Sequence, residues 1–336
     1  MFIALTDYLK KYSIGIIYLK RIISLVALCS GLATASANAQ TPARLVVDSI
    51  QPSYIPHRVW DTKHKRFVDF ESMLADVTGA DVLFLGEQHD DRATHRLEAA
   101  TLEGLARRRG NVVLAMEMFE RDVQPSLDDY LAGRSTEGDF LARSRPWPRY
   151  GADYRPLVEF ARAWKWPVVA SDVPRRLAGL VSRRGLKTIL DSINPADRAF
   201  AAHDLDCPHD DYFAKFAKTM ADMPSHSGDS TKESAAEKAA TIERIYQAQC
   251  IKDETMGESI AGAFGAAPPR ALVVHVNGAF HSDYGLGTAE RVKRRLPGKR
   301  VAVVSFVPVK DLDSADGNAR RTLADFVVFT LAPPAR

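Results

Sequence analysis

Four residues concentrate the chemistry this chain could do: Glu87, His89, Glu117 and His281, each placed just after a short apolar run. The run from Asp81 to Leu85 (DVLFL) leads into Gly86-Glu87-Gln88-His89, and Val112 to Ala115 (VVLA) leads into Met116-Glu117-Met118-Phe119. Pro167 to Ala170 (PVVA) leads into Ser171-Asp172, and Leu272 to Val276 (LVVHV) leads into Asn277-Gly278-Ala279-Phe280-His281. Two carboxylates and two imidazoles can bind a divalent metal ion or a cofactor's iron, or work as acid and base. The spacing Glu-x-His is not that of a helical zinc protease, which sets two histidines four apart on one helix face.

Each residue also has a plainer reading. Glu87 could serve the following helix through its dipole, and His89 could bond a backbone carbonyl. His95 reads as a surface position as readily as a site residue, and His275, mid-run, reads as a satisfied core histidine. Glu117 directly after an apolar strand is harder to dismiss, because a partly buried carboxylate needs a partner. Asp90, Asp172, Asn277, Asp283 and Tyr284 add polar groups near the same strand ends. A Pro-rich segment, Pro146 to Pro156 (PWPRYGADYRP), carries Trp147, Tyr150 and Tyr154. Its aromatics could line an apolar ligand surface or pack against helices, and a tyrosinate can also ligate haem iron.

These residues need a scaffold that gathers strand ends. Short Val-rich runs bounded by turn residues read as buried strands, and Arg300 to Val307 and Phe326 to Leu331 add two more. Between them lie helical patterns. Arg92 to Arg109 sets Leu97, Thr101, Leu102 and Leu105 near one face, and Tyr154 to Trp164 does so with Leu157, Val158 and Ala161. Alternation of strand and helix predicts an α/β fold, a mostly parallel sheet flanked by helices. Ligands of such sheets bind beyond the carboxyl ends of the strands. From about 174 to 266 the pattern is helical only, which predicts a helical subdomain inserted between two strands. Within it, Met223 to Glu237 is polar and Ser-rich, a loop by composition, and gives His226 little weight as a ligand. Arg58-Val59-Trp60 and Arg66-Phe67-Val68 suggest a hairpin before a first helix from Asp69 to Val77.

The first 39 residues stand apart. Lys10, Lys11, Lys20 and Arg21 precede an apolar run from Ile22 to Ala35, then Ala37-Asn38-Ala39, the pattern of a signal peptide. A periplasmic or otherwise exported location is therefore expected. Cys29 raises an outer-membrane lipid anchor, but Leu28 precedes it where a small residue is wanted. The four basic residues and one acid of this segment account for the formal +3 of the whole chain, leaving a mature domain (residues 40–336) of zero net charge. Such a surface is poorly suited to nucleic acid. The composition, 46% hydrophobic and 26% charged, is that of a globular protein. In an exported protein Cys207 and Cys250 could pair as a disulfide or stay as buried thiols.

Taken in order, Leu85-Gly86-Glu87-Gln88-His89-Asp90 with His95 on the next helix, Met116-Glu117-Met118-Phe119, Tyr150 to Pro156 and Val276-Asn277-Gly278-Ala279-Phe280-His281 resemble the ChaN-like haem-binding family. Leu296-Pro297-Gly298 through Val309 fits as well, so the resemblance spans roughly Phe70 to Leu331. It implies an exported or lipid-anchored protein linked to iron acquisition, with haem as cofactor. Haem ligands would come from His89, Tyr150, Tyr154 and His281, and the outer-membrane haem and iron uptake machinery would be the partner, with a homodimer left open. The same superfamily holds Tiki/TraB metalloproteases and erythromycin esterases. That kinship implies the alternative, a metal-dependent hydrolase of peptide or ester bonds with Glu87, His89, Glu117 and His281 as metal-binding and catalytic residues. A binding protein is the leading expectation over an enzyme; a non-catalytic envelope protein whose helical subdomain binds a partner is the third.

Overall fold

A computed structural model describes residues 54–222 and 234–332. The expected signal peptide, Cys29 and His226 lie outside the described residues. In chain order the elements are β1 (His57–Asp61), β2 (Arg66–Val68), α1 (Phe70–Val77), β3 (Val82–Glu87), α2 (Arg92–Ala106), β4 (Val112–Glu120), α3 (Gln124–Leu131), α4 (Glu137–Ser144), α5 (Tyr150–Asp153), α6 (Arg155–Ala163) and β5 (Val168–Asp172). There follow α7 (Arg175–Arg184), α8 (Leu186–Ser192), α9 (Pro195–Arg198), α10 (Asp211–Asp222), α11 (Ala235–Ala266), β6 (Leu272–Gly278), α12 (Gly287–Arg295), β7 (Val301–Val309) and β8 (Phe326–Leu331), with short 3-10 turns between some of them.

The strands form one 8-stranded sheet in the order β2-β1-β8-β7-β3-β6-β4-β5. Neighbours from β8 through β5 run parallel, and the expected hairpin β1-β2 is added antiparallel at the β8 edge. The period-2 alternation of side chains splits each central strand between two cores. Leu83 and Leu85 of β3, Leu114 and Met116 of β4 and Val274 and Val276 of β6 join one cluster with Leu97, Leu102 and Leu105 of α2 and Leu157 of α6. Val82, Phe84, Val113, Ala115 and Val273 face the other way, against Ile260 of α11 and Ala289 and Val292 of α12. Both faces are covered, which is why these runs read as continuous apolar stretches rather than alternating ones.

Between β5 and β6 the described residues form helices and turns only, and they bring chemistry back to the sheet. The 32-residue α11 opens where a loop is expected from composition: Ser234 and Glu237 make a reciprocal capping box at its start. Three-dimensional packing downstream, with Ile251, Met256 and Ile260 buried, supports a helix whose first turns are polar. Cys207 and Cys250 are joined as a disulfide, with Cα atoms 5.7 Å apart, and tie the segment before α10 to α11.

Candidate functional site

The carboxyl ends of β3, β4 and β6 meet where the connection from β4 leaves toward β5 and that from β6 leaves toward β7. Such a divergence opens a crevice. Here it is a cleft of about 540 Å³ whose walls include Glu87, His89, Glu117 and His281. The four residues that the sequence singles out therefore share one cavity. Trp147, Phe216, Met220, Ala279 and Phe280 supply its apolar surface, and Gln249 and Lys252 of α11 supply further polar groups.

Local backbone features aim these side chains. The register between β4 and β5 shifts between Met116 and Glu120, and an irregularity of this kind re-aims a side chain at a strand end. Glu117 Oε2 accepts the Gly278 backbone N–H at 2.8 Å, which joins β4 to the end of β6 beyond their ladder. A Cβ at Gly278 would lie 2.7 Å from His89 Nε2, so a larger residue there would displace the imidazole. Asp91 caps α2 through the Ala93 N–H and also accepts from the Thr94 and Thr330 hydroxyls, which fixes the turn carrying His89.

One polar string runs through Glu87. Its Oε1 accepts from His89 Nδ1 at 2.6 Å and from the Tyr154 hydroxyl at 2.8 Å. Its Oε2 lies 3.2 Å from His95 Nδ1, which is also 3.1 Å from Glu98 Oε2. His95 Nε2 donates to the His89 carbonyl at 3.2 Å. Burial alone would push the Glu87 carboxyl up, but the hydrogen bonds from His89 and His95 outweigh it and hold it at about 2. Burial alone would pull His95 down, yet its bonds to Glu87 and Glu98 bring the imidazolium up to about 11. Glu98, fully buried and facing the Glu87 charge, is pushed well above the carboxylate range.

A second string runs through Glu117. Lys252 Nζ lies 2.8 Å from Glu117 Oε1 and 3.3 Å from Asp172 Oδ2. His281 Nε2 is 3.3 Å from Glu117 Oε1, and His281 Nδ1 is 2.7 Å from Asp253 Oδ1. Asp253 also accepts from the Thr288 and Tyr212 hydroxyls. Burial would raise Glu117, but the His281 and Lys252 charges hold it well below its usual range. Burial would lower His281, but Glu117 and Asp253 bring it up to about 10. Desolvation pushes Asp172 up to about 6.

Several expectations are corrected by this geometry. His95 is not a surface residue: it is 3% exposed and central to the Glu87 string. Tyr150 does not reach the cleft, because its ring packs in the core between Phe119 and Phe140. Tyr154 is also buried and donates to Glu87; burial and the Glu87 charge raise its phenol far above the usual value, so it is no tyrosinate at the cleft surface. His281 faces Glu117 through Nε2 and Asp253 through Nδ1, which bring it up to about 10, so it is a paired imidazole rather than a free one in the cleft. Glu87, His89, Glu117 and His281 thus line one cavity without forming one ligand set. Among the described residues, the group of three His, Cys, Asp or Glu ligand atoms lying within 4.8 Å of one another is Glu87, His95 and Glu98. His275 is the satisfied core histidine expected, between Ser171 and Asn277.

Lys252, Gln249, Asp253 and Glu98 are absent from the sequence-based set. Their signal was faint: Gln249, Lys252 and Asp253 stand at i, i+3 and i+4 on one helix, a spacing that exposed helices share.

A family model described as "Haem-binding uptake, Tiki superfamily, ChaN" matches residues 73–292, a span that contains every residue of both strings. The chain belongs to this family. The solved ChaN of Campylobacter jejuni, described by its cofacial haem binding, is 16% identical and superposes with a TM-score of 0.57, covering 82% of this chain and 97% of its own. That likeness is one of fold: the ChaN architecture extends across the sheet and the helices described above. Among curated proteins, Protein RETICULATA-RELATED 5, chloroplastic, of Arabidopsis thaliana is 25% identical over 276 residues, 76% of this chain. The chain spans about a third, 35%, of that plant protein's length.

Proposed function

We propose that this ChaN-family chain is an exported haem-binding protein, that the cleft at the sheet's carboxyl edge would hold the porphyrin, and that His89 would ligate its iron. The cavity, about 540 Å³, falls in the range of cofactor sites. Trp147, Phe216, Met220 and Phe280 offer apolar surface to a flat macrocycle. His89 carries the reading. Its Nδ1 donates to the Glu87 carboxylate, so in the neutral ring the lone pair sits on Nε2. The imidazole lines the cleft with its side chain 46% exposed. A carboxylate behind an imidazole fixes its tautomer and strengthens it as a metal ligand. Haem, when bound, supplies an iron centre and a broad apolar face. The protein's own contribution is to orient His89, shield the face with Trp147 and Phe280, and keep Lys252 and His281 as fixed positive charges nearby.

Export through residues 1–39, a role in haem or iron uptake, and delivery to or from outer-membrane machinery belong to this proposal and rest on the signal-peptide pattern and the family. The hydrolase reading is not favoured. Glu117 is paired with Lys252 and His281, so it is not the free carboxylate a general base requires. Haemin titration of the purified protein tests the proposal. Saturable binding with a Soret shift is expected, and His89→Ala should abolish the ligand-field signature; unchanged binding and spectrum in His89→Ala would exclude His89 as the ligand.

A further inference from the structure

The Glu87 string contains more acid than the cleft uses. Glu98 lies on α2, one turn beyond His95, with its side chain 0% exposed. Its Oε2 faces His95 Nδ1, while its Oε1 is buried without a hydrogen-bond partner among the described residues. Glu87 faces the same nitrogen from β3. Two carboxylates converging in an apolar interior cannot both stay ionised unless a proton or a cation sits between them. Tertiary structure, not helix spacing alone, makes this arrangement, because Glu87 comes from a different element than His95 and Glu98.

We propose that Glu87, His95 and Glu98 form an interior site for one divalent first-row transition-metal ion, behind the wall of the haem cleft and sharing Glu87 with it. The three ligand atoms already lie within 4.8 Å of one another. His95 is oriented as metal-ligating histidines are: its Nε2–H donates to the backbone carbonyl of His89, which leaves Nδ1 directed at both carboxylates. A divalent ion seated among these three ligand atoms displaces the protons they share. The two carboxylates then balance its charge, so the interior stays neutral. Two carboxylate oxygens and one imidazole suit Zn²⁺, Fe²⁺ or Mn²⁺, and no thiolate is present to favour a softer ion. Glu87 also lines the cleft, with its side chain itself 0% exposed. The proposal stands without the haem reading, since metal retention is read in the absence of haem.

The experiment is to strip the purified protein with chelator, dialyse it against Zn²⁺ or Mn²⁺ without haem, and count retained metal by elemental analysis. One ion per chain is expected in the wild type. Glu98→Gln, which keeps the side-chain size, should weaken retention by at least about tenfold with the circular dichroism spectrum unchanged. Anomalous scattering from crystals of the Zn²⁺-loaded wild type locates the ion whether or not the variant folds. An ion between Glu87, His95 and Glu98 supports the proposal. A wild-type chain that retains no ion, retention unchanged in Glu98→Gln, or an ion found elsewhere overturns it. Failure of haem binding with metal retained would sink the haem reading alone.

Discussion

At the scale of the residue, the cleft leaves one imidazole exposed and encloses the other between carboxylates. His89 is backed by Glu87, whereas His281 is enclosed by Glu117 and Asp253. Tyr154 offers a direct check on this division. Its hydroxyl donates to a buried carboxylate, so Tyr154→Phe removes a charge-assisted bond and should cost about 2 kcal/mol of stability in urea titrations. On the proposed reading the variant should nonetheless keep the Soret spectrum, because the tyrosine would position Glu87 rather than ligate iron; a lost Soret shift in a folded Tyr154→Phe would reverse that assignment. Glu87→Gln should in turn weaken haem binding by roughly 10–100-fold, the usual cost of losing the group behind a metal-bound histidine.

At the scale of the element, the turn between β3 and α2 must be rigid for His89 to be placed. Asp91 supplies that rigidity with its cap on α2 and its bond from Thr330 of β8. Asp91→Ala should lower stability by about 2 kcal/mol, at the upper end for a lost helix cap because buried hydroxyls are also orphaned; thermal melting reads the loss. Gly278→Ala brings a methyl into the space of His89 Nε2, so the expected outcome is a displaced imidazole and weaker haem binding with the sheet intact, separable by comparing circular dichroism with haemin titration. Strand positions were legible in the sequence because parallel strands buried on both faces are short, Val-rich and bounded by turns. The start of α11 was not, since Ser234 to Glu237 has loop composition and is helical through a capping box and packing many residues away.

At the scale of the whole molecule, ionisation and the disulfide set the conditions in which the fold persists. Glu87, held at about 2 against an ordinary 4.5, contributes stability that is present above pH 4.5 and lost as pH falls through 2. His95 and His281, raised to about 11 and about 10 from 6.5, contribute stability that is full below pH 6.5 and lost as pH rises through those values. His275, lowered by burial to about 4, works in the acid direction: its contribution is full above pH 6.5 and lost as pH falls through 4. Urea midpoints should therefore peak near pH 5–6.5 and fall toward pH 10, and His281→Gln should flatten the alkaline limb; a wild-type profile without that limb would contradict the ionic pairing. The disulfide closes a sequence separation of 43 residues, so reduction should cost up to about 4 kcal/mol by loop entropy, read from midpoints with and without reductant.

Read alone, the amino-acid order determined the α/β class, the strand positions and the identity of the strand-end acids and imidazoles, because burial periodicity and turn residues are local properties of the chain. It left Lys252, Asp253, Glu98 and the burial of His95 invisible, and it offered Tyr150 and Tyr154 as equals of His89. Those matters were decided by tertiary structure. Whether an imidazole is free, paired or buried depends on which charges a distant helix brings within about 3 Å of it, and only the docking of α11 and α2 against the sheet's carboxyl edge supplies them.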